Sequence, residues 1–261
     1  LGGNQYVNSS ALGRYADYLT KELVPFVDRE FRTLASREHR GCFGKSSGGY
    51  GAILHGMKYA RTWGAIASHS GDAYFDWVYG GDWPNTLDEL AKFRKQPRKP
   101  GPVDVAAEAK RAGYDGRDDG RVRRFLEHVW KKTKLSEAEV HCLMNLAMAA
   151  TYDPDPKAPN GFLLPYNLET GERLPKRWRV WLRHDPILLV GRYAKELRTL
   201  RGIFVDCGWR DQYRIHYGSR LLSKALAEHG VAHRYEEFDD NHSSVDYRME
   251  LSLPFLVRAL S

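Results

Sequence analysis

The chain is poor in cysteine and methionine, and it has no long run of apolar residues. Its 261 residues include only three cysteines, an odd number that does not suit a disulfide framework. No apolar stretch is long enough to cross a bilayer, and no secretion signal is visible. The sequence therefore predicts reduced cysteines and a cytoplasmic location, and it argues against a membrane-spanning helix.

Two kinds of ligand site are also missing. The chain has no cluster of His, Cys, Asp and Glu at metal-ligand spacing and no glycine-rich phosphate loop, so neither a metal nor a cofactor is expected. The net charge of +7 and the basic runs at residues 92–99 and 121–124 raise the question of nucleic acid binding. No nucleic-acid-binding motif accompanies these runs, and most such runs are solvated surface. We expect no nucleic acid partner, while a homo-oligomer stays open.

What the chain does contain is a G-x-S-x-G motif at residues 44–48, followed by Gly49. Residues 39–43 before it predict a short buried strand, and residues 49–60 after it predict a helix. A strand, a tight turn and a helix form the setting of a nucleophile elbow, which makes Ser46 the candidate nucleophile. The helix N-terminus behind Ser46 favours a developing oxyanion, and the backbone N–H of Ser47 is its predicted donor.

A serine nucleophile needs a base and an acid that orients the base. Residues 202–206 predict a buried strand and residues 232–238 another strand, with a helix at 213–229 between them. Asp211 and His242 lie on the loops that follow these strands, and parallel strands bring such loops to one edge of a sheet. Asp206, at the end of the first strand, is an alternative acid, although it is better interpreted as a structural carboxylate. Asp211 has the alternative role of a helix N-cap.

Six stretches of the chain match one family of hydrolases. They are GGNQYVNS (2–9), ELVPFVDREFRT (22–33), GKSSGGYGA (44–52), SHSGD (68–72), VDCGWRDQY (205–213) and FDDNHSSVDYR (238–248). With them the chain resembles the esterase D and enterochelin-esterase-like branch of the α/β-hydrolases, which also holds S-formylglutathione hydrolases, feruloyl esterases and mycolyltransferases.

This resemblance implies an α/β-hydrolase fold, with a mainly parallel sheet and helices on both faces. It assigns the nucleophile to Ser46, the acid to Asp211 and the base to His242. The chain departs from the family pattern at Asn241, where many relatives have glycine.

Further residues are candidates for contacting a substrate. Gln5 and Tyr6 follow Gly2 and Gly3 in a segment expected to form a wall of the site, because glycine lets the backbone approach closely. His69 ends a predicted strand near the elbow. Trp209 lies in the loop that carries Asp211.

The alternation of strands and helices is interrupted by a long insertion. We predict a hydrolase core at residues 1–75 and 184–261 and a cap at residues 76–183. Within this region a capping box begins a helix at Ser136, and Asp185 with Pro186 begins another just after it. Five tryptophans predict either the core of the cap or an aromatic wall for an acyl group. They are Trp77, Trp83, Trp130, Trp178 and Trp181.

The start of the chain differs from the family pattern. Relatives have several strands before the elbow, whereas the 45 residues before Ser46 predict one loop and one long helix with a kink at Pro25. An apolar stripe runs along this helix at every fourth residue, at positions 15, 19, 23, 27 and 31. The N-terminal strands, and the loop that supplies the second oxyanion N–H, are therefore expected to be missing from this chain. The remaining sheet is expected to have about four strands and an open edge.

The predicted function is that of a serine carboxylic-ester hydrolase, acting on a small-molecule ester through an acyl-enzyme. Two alternatives remain. An acyltransferase would use the same triad with an alcohol in place of water, and an inactive hydrolase fold would serve as a binding protein.

Overall fold

A computed structural model describes residues 4–95, 101–111 and 115–261. Gly2 and Gly3 of the predicted site wall, and residues 96–100 of the first basic run, lie outside the described residues. The strands are β1 Asn8–Ser9, β2 Gly13–Arg14, β3 Gly41–Lys45, β4 Ala65–His69, β5 Gly202–Gly208 and β6 Arg234–Phe238. The α-helices are α1 Tyr15–Asp17, α2 Val24–Glu30, α3 Ser47–Lys58, α4 Phe75–Val78, α5 Trp83–Ala91, α6 Val105–Arg111, α7 Arg121–Val129, α8 Glu137–Tyr152, α9 Pro175–Leu182, α10 Pro186–Leu197, α11 Ile215–Glu228 and α12 Met249–Leu260.

Four strands form one parallel sheet in the order β3-β4-β5-β6. The inner strands β4 and β5 are buried along their whole length because they consist mostly of small and apolar residues. The outer strands are partly exposed, and β6 carries charged residues. The predicted, mainly parallel sheet is confirmed. Strand β3 begins two residues later than expected because Arg37–His39 form a 3-10 turn.

The described residues group into two compact units. One contains residues 5–7, 15–78 and 184–261 and holds the parallel sheet. The other contains Asn4, residues 8–14 and the described part of residues 79–183. The second unit thus comprises most of the predicted cap, but it also takes residues 8–14, which the sequence pattern placed in the core.

In the sheet-bearing unit, alternate residues of β4 face opposite layers of helices. Ala65 and Ala67 pack with Phe204 of β5 against Leu256 of α12. Ile66 lies against α3 on the other face, where a Cβ added to Gly56 would come within 2.5 Å of its Cδ1. Because side chains alternate along a strand, helices cover both faces of this sheet.

The helical segment before the elbow differs from its prediction. The expected single helix is divided into α1, a π-helical segment at Tyr18–Leu23, and α2, and Pro25 occupies the first turn of α2, where it needs no N–H partner. The predicted apolar stripe is largely exposed, with Phe31 64% exposed.

Strand β3 is an outer strand of the sheet, and no other described strand pairs with its free edge. Among the described residues, no helix combines the length and apolar character that a membrane crossing requires.

The second unit has an aromatic core. Trp83 and Trp181 are fully buried with ring centroids 6.0 Å apart, and Trp178 stacks on Trp181 at 5.6 Å. Trp130 is exposed, and Trp77 belongs to the other unit, where it is also exposed. Three of the five tryptophans therefore build the core of this unit.

Two predicted helix starts are confirmed. Ser136 Oγ accepts the Glu139 N–H at 3.3 Å, while Glu139 Oε2 accepts the Ser136 N–H at 2.7 Å, which completes the capping box of α8. Asp185 caps α10, because its Oδ1 accepts the Ile187 N–H at 3.0 Å.

Several described residues of the two basic runs pair with acids inside the second unit. Arg94 and Arg121 both bind Glu169, at 2.5 and 2.6 Å. Lys92 binds Glu89 at 2.5 Å. These pairs neutralise three of the basic side chains locally, while the net charge of +7, which already counts the acids, is unchanged.

A buried histidine fixes the N-terminal segment against α3. The Trp63 indole N–H donates to His55 Nδ1 at 3.0 Å, so the ring proton of the neutral imidazole is on Nε2, which donates to the Tyr6 carbonyl at 2.9 Å. Burial lowers the pKa of His55 below its ordinary value of 6.5, and this outweighs the opposite effect of the Tyr6 carbonyl. His55 is therefore neutral in the folded protein at neutral pH.

We expect this histidine to make the fold sensitive to acid. A pKa that is lower in the folded chain gives stability that is complete above the unfolded value and is lost as the pH falls towards the folded value. In His55→Gln, the amide offers one acceptor and one donor group in place of the two ring nitrogens, and it does not titrate. Between about pH 7.5 and about pH 5 the wild type should lose more free energy of unfolding than His55→Gln, as measured by urea denaturation. Equal losses in the two proteins would refute this role.

Candidate active site

The turn at Ser46 has the strained geometry of an elbow. Ser46 has φ 57° and ψ −123°, a conformation that only glycine adopts readily. Its N–H donates to the His69 carbonyl at 2.9 Å, and its own carbonyl accepts the Tyr50 N–H at 2.9 Å. A Cβ on Gly44 would lie 2.5 Å from the Gly48 carbonyl carbon, so only glycine fits there. The turn therefore holds the Ser46 backbone between β3 and α3.

The start of α3 provides a site for negative charge. The Ser46 side chain makes no capping hydrogen bond to the helix. The first N–H groups of a helix have no partner within it, and the helix dipole places partial positive charge there. The Ser47 N–H is the first of these groups, which is where the sequence predicted an oxyanion donor.

Asp211 and His242 form a buried pair. His242 Nδ1 lies 2.7 Å from Asp211 Oδ2, and both residues are more than nine-tenths buried. Because the carboxylate accepts at Nδ1, the neutral imidazole carries its proton there and leaves the lone pair of Nε2 free. Asp211 Oδ1 also accepts the N–H groups of Tyr213 at 2.9 Å and Ile215 at 3.4 Å. Asp211 is thus the histidine partner. It is not the N-cap of α11, which is Arg214, although its carboxylate accepts the N–H of Ile215, the first residue of that helix.

Two residues beside Asp211 hold His242 and were not identified from the sequence. Gln212 Oε1 accepts the His242 N–H at 2.9 Å. The Tyr213 ring contacts the imidazole edge to face, with centroids 4.8 Å apart. Their position directly after Asp211 was the only sequence signal, and it does not show that the chain brings them to the His242 loop.

Ser46 and the pair lie at the same edge of the sheet. Ser46 follows β3, Asp211 follows β5 and His242 follows β6, and all these strands are parallel. Neighbouring strands are about 4.8 Å apart, so the loops have to bridge two and three strand spacings respectively. Among the described residues, Ser46 Oγ is not hydrogen-bonded to His242. Such catalytic bonds are often long without substrate and shorten when it binds.

The alternative acid, Asp206, has a different histidine partner. His69 lies opposite Asp206 in the neighbouring strand, and its Nδ1 is 2.7 Å from Asp206 Oδ1. His69 Nε2 is 2.8 Å from Ser252 Oγ of α12, and Arg248 Nε donates to Asp206 Oδ2 at 2.8 Å. Asp206 and Ser252 have no exposed surface, and His69 is 3% exposed. This second Ser–His–Asp arrangement is closed to solvent.

Of the other residues predicted to contact a substrate, Tyr6 and Trp209 are exposed, whereas Gln5 and His69 are buried. Gln5 is buried, and its amide donates to Asp72 Oδ2 at 3.0 Å. The Tyr6 ring lies against Gly51 of α3 and is 40% exposed. Trp209 is 48% exposed, with the Arg210 guanidinium 5.4 Å from its ring. Both ring nitrogens of His69 are hydrogen-bonded inside the protein, to Asp206 and Ser252. The structure therefore does not place His69 among residues that could contact a substrate.

Comparison with known proteins shows the family of this chain. The family model described as "Esterase: Putative esterase" matches residues 5–254. The chain belongs to the putative esterase family. Two esterases of Mycobacterium tuberculosis, Esterase MT1326 and Esterase Rv1288, are each 38% identical to this chain over 52 residues. That match spans 20% of this chain and only 11% of either relative.

Solved structures show the fold. A ferulic acid esterase superposes with a TM-score of 0.55 at 17% identity, covering 100% of this chain and 67% of its own. MPT51 (FbpC1) of Mycobacterium tuberculosis gives 0.53 at 13% identity, covering 99% and 74%. With the parallel sheet and its helices, these similarities confirm the α/β-hydrolase fold that was predicted.

Proposed function

We propose that this protein is a serine carboxylic-ester hydrolase that works through an acyl-enzyme. The observation that carries the proposal is the buried Asp211–His242 pair, at the sheet edge where the strained Ser46 begins α3. Family membership and the hydrolase fold support ester hydrolysis in general.

Each residue would have one role in the reaction. Ser46 Oγ attacks the ester carbonyl as His242 Nε2 takes its proton, and the resulting imidazolium is stabilised by Asp211. The carbonyl oxygen becomes an oxyanion beside the Ser47 N–H at the start of α3. Collapse of this intermediate breaks the ester C–O bond, and His242 returns the proton to the leaving alcohol. Water, activated by His242, then hydrolyses the acyl-enzyme.

The chain also contains Asp206, His69 and Ser252, which have the same residue types at similar distances. We assign the reaction to Ser46 and not to Ser252, because Ser252 is completely buried and an ester could not reach it without local unfolding. In addition, Asp206 Oδ2 already accepts a hydrogen bond from Arg248 Nε.

The direct test is a panel of nitrophenyl and feruloyl esters, combined with labelling by a fluorophosphonate and identification of the labelled peptide. We expect hydrolysis of at least one ester class and a label on Ser46. Product analysis with added alcohols then separates hydrolysis from acyl transfer, since a transferase forms the new ester in preference to the free acid. A folded protein that takes no label and cleaves no ester would favour a binding role.

A further inference from the structure

Cys207 is a buried thiol directly behind the Asp211–His242 pair. It is the sixth residue of β5, has no exposed surface and is not in a disulfide. Its Sγ lies 3.7 Å from Asp211 Oδ2, the same oxygen that accepts from His242 Nδ1. The proposed mechanism gives this thiol no role.

The thiol is protonated in the folded protein. Burial, together with the neighbouring Asp211 charge, raises the pKa of Cys207 far above its ordinary range. A buried thiol of this kind is inert as a nucleophile but can donate a weak hydrogen bond.

The thiol has two acceptors besides the Ser70 and Ser219 hydroxyl groups that lie beside it. One is the Gly208 carbonyl at 3.5 Å, and the other is Asp211 Oδ2 at 3.7 Å. The carboxylate is the stronger acceptor because it carries a charge. With the thiol included, Asp211 receives donors at both oxygens: two backbone N–H groups on Oδ1, and the imidazole and the thiol on Oδ2.

We infer that Cys207 is a positioning residue, which donates its S–H to Asp211 and thereby sets how strongly Asp211 stabilises the protonated form of His242. A hydrogen bond to a carboxylate spreads its charge, so less of that charge acts on the imidazolium. The thiol also fixes the direction of Oδ2 towards the ring. This inference rests on the proposed function only for its effect on turnover.

Tyr235 of β6 interacts electrostatically with Cys207, and burial raises its pKa far above its ordinary range, so its phenol is uncharged. His216 of α11 interacts electrostatically with Asp211, and burial lowers its pKa, so it is neutral at neutral pH. The Tyr213 ring contacts the His242 ring edge to face. The hydroxyl groups of Ser70 and Ser219 lie beside the Cys207 thiol. Among these described neighbours, Cys207 is the thiol that reaches Asp211.

The test is an NMR titration of the His242 ring in histidine-labelled full-length protein, with the signal assigned by its loss in His242→Gln. Cys207→Ala removes the donor and should raise the midpoint of the titration by about 0.3 pH unit. Cys207→Ser supplies a stronger O–H donor and should lower the midpoint by a similar amount, about 0.3 pH unit. Opposite shifts are the signature, because a packing defect would move both variants in the same direction.

The control is Cys142, the buried cysteine of the other unit. Cys142→Ala and Cys142→Ser should leave the midpoint unchanged. If Cys207→Ala does not fold, the lowered midpoint in Cys207→Ser carries the test alone. Coincident midpoints in wild type and folded Cys207→Ser, or shifts of the same sign in both Cys207 variants, would overturn the inference.

This readout needs no turnover, so the inference and the proposed function can fail separately. Opposite NMR shifts in a protein that cleaves no ester would sustain the role of Cys207 and reject the esterase. Ester hydrolysis with an unchanged His242 titration midpoint would support the esterase and reject the role of Cys207. If both hold, the acid limb of kcat/KM against pH moves with the NMR midpoint in each variant.

Discussion

Replacing Ser46 by alanine should lower kcat/KM for an ester substrate by about 10⁴- to 10⁶-fold, because the whole covalent route is lost. The fold should be unaffected, since the Ser46 side chain does not cap α3 and alanine is smaller. Steady-state kinetics and fluorophosphonate labelling measure the loss, and a thermal melt establishes that the variant is folded.

Two other serines provide matched controls. Ser47→Ala should keep most of the activity, since only the backbone N–H of Ser47 is assigned a role. Ser252→Ala should keep the label as well, although it removes the hydroxyl 2.8 Å from His69 Nε2. A label on Ser47 would show that the turn is displaced by one residue. Loss of labelling in a folded Ser252→Ala, with labelling kept in Ser46→Ala, would transfer the reaction to the buried arrangement.

Asparagine at the two aspartates should give opposite results in activity and in stability. Asp211→Asn should reduce kcat by about 10³- to 10⁴-fold, because an amide favours the wrong His242 tautomer and cannot stabilise the imidazolium. Asp206→Asn should lose much less activity. It should cost about 2 kcal/mol of stability instead, since it removes one of the two carboxylates that bind the buried Arg248, the other being Glu236.

Both variants are to be examined by urea denaturation and by ester kinetics on the same preparations. The pair is informative because Asp206 and Asp211 each lie 2.7 Å from a histidine. A folded Asp206→Asn with the larger loss of kcat would reassign the acid to Asp206.

The elbow could be predicted from sequence because its requirements are local. Strand, turn and helix follow one another within a few residues, and the glycine at position 44 is demanded by contacts with the same turn. The helix starts at Ser136 and Asp185 are local for the same reason. The apolar stripe at residues 15–31 could also be read from the sequence. Its exposure to solvent could not, because burial depends on which other elements pack against the stripe.

The different contacts of neighbouring residues on β5 could be identified only from the paired sheet. Asp206 and Cys207 are adjacent in sequence, and successive side chains of a strand point to opposite faces. Asp206 lies on the α12 face of the sheet and meets Arg248, the residue just before α12. Cys207 points to the opposite face, where Asp211 lies in the turn that precedes α11. No sequence pattern indicates that His69 would be opposite Asp206, since the β4–β5 register joins residues 137 positions apart.

The sequence by itself therefore determined the parallel sheet, the elbow with Ser46 and the loops that carry Asp211 and His242, because each depends on short-range periodicity, glycine placement and chain order. The tertiary structure alone decided which aspartate joins His242, why His69 is sealed beneath α12, and how Gln212, Tyr213 and Cys207 surround the pair. These are contacts of a few ångströms between distant parts of the chain. They are fixed by strand register and by the face to which each side chain points, which become defined only when the strands pair.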